Sequence, residues 1–99
     1  MHYEEIEAEG KLQINVEGKI DSLSSEEFQD LVLKAFTKCN NIVINLEKVS
    51  YMSSAGLRAL ILGEKTAKSK GGSQIIINPQ PQVQEVFRVT GFGSILDIR

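Results

Sequence analysis

Ile42-Val43-Ile44-Asn45-Leu46 and Ile75-Ile76-Ile77 are nearly continuous apolar runs, the pattern expected of strands covered on both faces. Between them, a stretch from about Ala55 to Lys70 has helical spacing. Leu57, Leu60 and Ile61 point inward, and Gly71-Gly72 follows as a terminator. Strand, helix and strand over this length make a βαβ unit, which predicts parallel strands joined by a right-handed crossover.

Upstream of this unit, Leu12-Gln13-Ile14-Asn15-Val16-Glu17 alternates strictly between apolar and polar residues, as a strand with one dry face does. Tyr3 to Glu9 alternates more weakly through Ile6 and Ala8, and Glu9-Gly10-Lys11 is a turn between the two. This predicts an N-terminal hairpin from which Gly18 to Asp21 leads out of the sheet. Ser24 followed by Glu27 reads as a capping box, with Leu23 and Phe28 as a hydrophobic staple. Phe28, Leu31, Val32, Ala35, Phe36 and Cys39 then form one apolar helical stripe. The helix is read as structural.

Downstream, Asn78-Pro79-Gln80-Pro81 predicts a third helix capped by Asn78. Val83, Val86 and Phe87 form its buried side, and Gly91 closes it. Phe92 to Arg99 is a last strand or a packed extension. The fold expected is α/β: a mixed four- to five-stranded sheet with an N-terminal hairpin, backed by three or more helices. Its length of 99 residues makes residues 1–99 one domain.

Composition narrows the function classes. The chain is 41% hydrophobic and 24% charged with a formal net charge of -2, so neither nucleic acid nor an anionic membrane is an expected partner. Cys39 is the only cysteine and His2 the only histidine, at the terminus; this excludes an internal disulfide and gives no reason to expect a Cys–His pair. The first residues, MHYEEIEAEG, hold no hydrophobic core of a signal peptide, and no apolar run is long enough for a membrane span. A cytoplasmic location is expected. No glycine-rich phosphate loop follows a strand, and no Asp/Glu/His cluster has metal-ligand spacing. The chain is therefore read as a binding protein without cofactors or metal, not an enzyme.

Asn45 to Arg58 is the most informative segment for function. A buried strand ends near Leu46, a loop follows, and a helix begins at Ser53 or Ser54. Serine at such a place caps the helix by accepting a hydrogen bond from its first free N–H groups. The same geometry would also tolerate a phosphate, whose negative charge meets those N–H groups and the positive end of the helix dipole. Small Ala55 and Gly56 leave the approach open. Loops at the carboxyl ends of parallel strands are where open α/β sheets place their sites.

This segment resembles the signature of the STAS family, shared by bacterial anti-sigma factor antagonists and the cytoplasmic tails of sulfate transporters. In antagonists a V-I-N-L strand leads through an acidic residue and an aromatic-Met or aromatic-Ile pair to a D/S/T-S-x-G-L motif. The matching parts here are Ile42 to Leu46, Glu47, Tyr51-Met52 and Ser53-Ser54-Ala55-Gly56-Leu57. Gly18-Lys19-Ile20-Asp21, Gly71-Gly72 and Thr90-Gly91-Phe92 match further family features, so the resemblance runs over almost the whole chain.

The resemblance implies a partner switch. The unphosphorylated domain binds an anti-sigma factor that is also a serine kinase, phosphorylation releases it, and a PP2C-type phosphatase resets it. Carried over by position, Ser54 is the phosphoacceptor and Asp21 a nearby recognition or positioning residue. Tyr51, Met52, Ser53, Ala55, Gly56, Leu57 and Arg58 complete the partner-binding segment. Many antagonists have aspartate where this chain has Ser53, which makes Ser53 the second candidate acceptor. Many relatives also continue past the position of Arg99 into a final helix, whose partner surfaces are not carried over. The competing reading is a constitutive adaptor or scaffold subunit of a stress-signalling or lipid-transport assembly, with Ser54 acting only as a cap.

Overall fold

The computed structural model describes residues Met1–Arg99. Five strands lie side by side in chain order: β1 (His2–Ala8), β2 (Lys11–Ile20), β3 (Asn41–Met52), β4 (Ser73–Ile77) and β5 (Asp97–Ile98). β1 runs antiparallel to β2, and every later pair is parallel. Three helices make the parallel connections: α1 (Ser25–Lys38), α2 (Ser54–Ser69) and α3 (Pro81–Thr90). A short 3-10 turn at Phe92–Ser94 leads into β5, so the tail is a strand. The expected mixed sheet with its hairpin and helices is the architecture observed.

The hairpin turns on Glu9 and Gly10 alone, both at positive φ (54° and 77°), as a two-residue turn matched to strand twist requires. Lys11 already pairs with Ala8. One apolar cluster joins Leu12, Ile14 and Val16 of β2, Ile42, Ile44 and Leu46 of β3 and Ile76 of β4 to both long helices, and α3 adds Val83 and Phe87. The opposite sheet face carries Gln13, Asn15, Val43, Asn45, Ile75 and Ile77, all half-buried. β3 and β4 are therefore buried on one face only, contrary to the reading of their apolar runs. Amide side chains occupy the second face instead: Asn45 Nδ2 donates to Asn15 Oδ1 at 3.0 Å, and Asn78 Nδ2 donates to Asn45 Oδ1 at 3.2 Å.

Two helix starts and one helix end depart from expectation. Ser24 precedes α1 but makes no capping bond through its side chain. Its hydroxyl turns back to donate to the Lys19 carbonyl at 2.8 Å, while Asp21 Oδ1 accepts from the N–H groups of Leu23 and Ser24 at 3.0 and 3.1 Å. The carboxylate is the stronger acceptor and sits within an Asx-type turn, so Asp21 takes the Ser24 N–H that a capping box would give to Glu27. Leu23 is 91% exposed, and no staple with Phe28 forms. Asn78 adopts a left-handed conformation (φ 57°) and lies outside α3, which starts at Pro81 after Gln80. Cys39 is the extended residue that ends α1, and it packs half-buried against the same core as the stripe.

The strands around the motif are longer than expected. β2 continues to Ile20, and β3 does not end at Leu46 but runs on to Met52 beside it. The register slips between Asn15 and Glu17 and again between Gly18 and Lys19, each time with an extra residue on β3. Two such bulges turn the buried positions from alternation to Leu46, Val49 and Met52. That spacing of three hides the strand from a reading that looks for period two.

Candidate functional site

The carboxyl ends of β2 and β3 meet the start of α2. The Ser53 N–H donates to the Ile20 carbonyl at 2.8 Å, so Asp21 and Ser54 each stand one residue beyond a single bond joining the two strands. Ser53 is the N-cap: its Oγ accepts from the Gly56 N–H at 3.2 Å, and its carbonyl accepts from the Leu57 N–H at 3.0 Å. Ser54 is the first helical residue and is exposed. The two serines that the sequence leaves as alternative caps are thereby separated, with Ser53 holding the helix and Ser54 facing outward.

The remaining residues of the segment divide by burial. Met52, Gly56 and Leu57 are buried, which removes them from an outer binding surface and makes them its support. A Cβ on Gly56 would crowd both Ile20 and Met52, so the missing side chain here permits close packing rather than open access. Tyr51, Ser54 and Arg58 are exposed and Ala55 half-buried. The α2 first turn holds no acidic residue.

Asp21 does its visible work at α1. Hydrogen bonds from the Ser24 and Leu23 N–H groups hold its carboxyl below the usual value of 3.8, so the residue stands ionised beside the start of α2. Glu47, by contrast, lines a separate hollow of about 360 Å³ together with Asn15 and Asn45. The hollow next to Ser54 is a shallow groove of about 200 Å³ between α1 and α2, lined by Ser25, Glu26, Gln29, Ala55 and Arg58. Glu26 rather than Glu47 is thus the acidic neighbour of the exposed helix start.

Two features of the site have no signal in the sequence. Ser25, Glu26 and Gln29 reach it from α1, which reads as a purely structural helix because its apolar stripe dominates. Gln80 and Gln82, at the start of α3, donate to the carbonyls of Glu47 and Ser50 at 2.8 and 3.2 Å, and so tie down the bulged end of β3. Glutamines carry no periodic signature, and the carbonyls they satisfy lie beyond the last β3–β4 pair at Asn45 and Ile77.

No group of three or more His, Cys, Asp or Glu side chains is placed to hold a metal ion. No helix is long and apolar enough to cross a membrane.

The family model for the STAS domain matches residues 3–99. The anti-sigma-B factor antagonist of Bacillus subtilis (strain 168) is 31% identical over 90 residues, which cover 91% of this chain and 83% of that protein. Among solved structures, the unphosphorylated form of the anti-sigma factor antagonist SpoIIAA superposes with a TM-score of 0.82 at 22% identity, over 99% of this chain and 88% of the other. The phosphorylated form of the Bacillus cell fate determinant SpoIIAA gives 0.74 at 21% identity, over 99% and 91%. These two likenesses speak for the fold. With a match that runs from β1 to the last residue and takes in every strand and helix described, the chain belongs to the STAS domain family.

Proposed function

We propose that this chain is an anti-sigma factor antagonist that works by partner switching, with Ser54 as the phosphorylated residue. One observation carries the reading: Ser53 makes the capping bond, which leaves the Ser54 hydroxyl exposed and without a structural task. The name of the Bacillus subtilis relative supports an anti-sigma factor as partner. In this reading the chain is a regulatory binding protein of the cytoplasm rather than an enzyme, and its partner is an anti-sigma factor with serine kinase activity.

The switch runs through one bond exchange. Ser54 Oγ attacks the γ-phosphorus of ATP, the bond to the β–γ bridging oxygen breaks and ADP leaves. The hydroxyl proton passes to a base on the kinase. The product carries about 1.5 to 2 additional negative charges at a helix start, where the fold tolerates them. Asp21 and Glu26 make the surrounding surface a poor place to bury a dianion against a partner. Desolvating it there without a cation supplied by the partner costs several kcal/mol, enough to weaken a micromolar complex beyond detection. A PP2C-type phosphatase restores the hydroxyl by hydrolysis.

Incubation with ATP and the cognate kinase, followed by intact-mass measurement and phosphopeptide mapping, tests this. One phosphate on Ser54 is expected. A group on Ser53, Ser50 or Thr90 would show the acceptor to be wrongly placed. Stable partner binding with no modification would favour the constitutive adaptor.

A further inference from the structure

We propose that Arg58 is an internal clamp for the phosphate on Ser54, pairing with it along the outer face of α2. The proposal rests on the reading of Ser54 as the modified residue and goes beyond it to what the modified residue touches. Ser54 and Arg58 are both exposed and stand four residues apart on one helix. At that spacing Cβ atoms lie about 5–6 Å apart, and an acidic group N-terminal to its cationic partner is the favourable order.

Arg58 is free to take the role. The three ion pairs of the chain are Lys38–Glu5, Arg88–Glu85 and Arg99–Asp97, and none uses it. Neither acidic residue of the site is paired with it. Asp21 accepts from Leu23 and Ser24, and Glu26 lines the same groove as Arg58 without forming an ion pair. Ala55, which lines that groove, carries only a methyl group. A guanidinium binds phosphate oxygens through two parallel N–H groups, which a lysine at this place would not do. The clamp therefore fixes the phosphate against the chain's own helix and takes Arg58 out of the surface offered to a partner.

The test uses full-length protein with phosphoserine installed at position 54 by genetic encoding, so that it does not depend on any kinase. Phosphorus NMR titration follows the second ionisation of the phosphate in the otherwise wild-type chain, in Arg58→Gln and in Lys65→Gln. Arg58 should hold that ionisation about 0.15 to 0.4 pH unit lower than Arg58→Gln does. Lys65→Gln should match the wild type, and 1 M salt should remove most of the difference. Coincident curves for wild type and Arg58→Gln, or an equal shift from Lys65→Gln, would overturn the clamp. Mapping of the kinase product to another residue would instead overturn the switch at Ser54 and leave this titration unchanged.

Discussion

A Cβ on Gly56 would stand 2.6 Å from Ile20 Cγ2 and 3.2 Å from Met52 Cγ. The first turn of α2 thus rests directly on the last residues of β2 and β3, and the exposed serine is held by contact as well as by the Ser53–Ile20 bond. Gly56→Ala should destabilise by about 1–3 kcal/mol, because a branched, fully buried isoleucine has nowhere to move. Urea denaturation reads this directly. An unchanged midpoint would mean that the helix start lifts off the strands at little cost.

The neighbouring serines should behave differently. Ser53→Ala removes the bond to the Gly56 N–H and should cost about 0.5–2 kcal/mol. Ser54→Ala touches nothing structural and should stay within about 0.5 kcal/mol. Ser54→Asp places a charge favourably at the helix start and should keep the melting temperature. In calorimetric titration against the cognate anti-sigma factor, Ser54→Ala should keep binding and lose switching, while Ser54→Asp should bind more weakly. Equal affinities for wild type, phosphorylated protein and Ser54→Asp would be incompatible with a switch, and a large loss of stability in Ser54→Ala would return that residue to a capping role.

Asp21 gives the site a pH dependence of definite sign. Its carboxyl is held below the ordinary value by hydrogen bonds from the Ser24 and Leu23 N–H groups. A depressed carboxyl stabilises the fold above its unfolded value of about 3.9, and this contribution is lost as the pH falls through the lower, folded value. Stability measured from pH 6 downward should therefore drop more steeply in the wild type than in Asp21→Asn. Parallel curves would show that the carboxylate caps α1 without linkage to folding.

The helix that covers the sheet buries Phe28, Leu31, Val32, Ala35 and Phe36. Phe28 is fully buried and Leu31 nearly so. Truncation of either to alanine should cost about 2–5 kcal/mol. Chemical denaturation without loss at either position would remove this core face.

Much of this was legible in the sequence where the pattern is periodic. The alternation of Leu12, Ile14 and Val16 and the stripe from Phe28 to Phe36 both hold in the fold. What failed was local competition for hydrogen bonds. Ser24 stands where a cap would, but its hydroxyl turns back to the Lys19 carbonyl, while the Asp21 carboxylate takes the N–H groups of Leu23 and Ser24. The far half of β3 was lost because two bulges broke its period. Gln74 was missed as well: it is buried, with its Nε2 donating to the Leu60 carbonyl at 2.8 Å. Gly63 in mid-helix was the available signal, since a glycine there weakens a helix unless something packs closely. A Cβ at Gly63 would lie 2.0 Å from Gln74 Oε1. At the site, the motif located the segment, but only the capping geometry separated Ser53 from Ser54.

β1 is exposed along its whole length and pairs on one side only. A bare rim of unpaired N–H and C=O groups is an invitation to stack with another sheet. This rim carries Glu4, Glu5 and Glu7 within seven residues, of which Glu5 is paired with Lys38. Two copies meeting along it would bring like charges together in one seam, and the repulsion guards the chain against polymerising into longer sheets. Reversing the charge of these glutamates would alter colloidal behaviour well before it altered the fold.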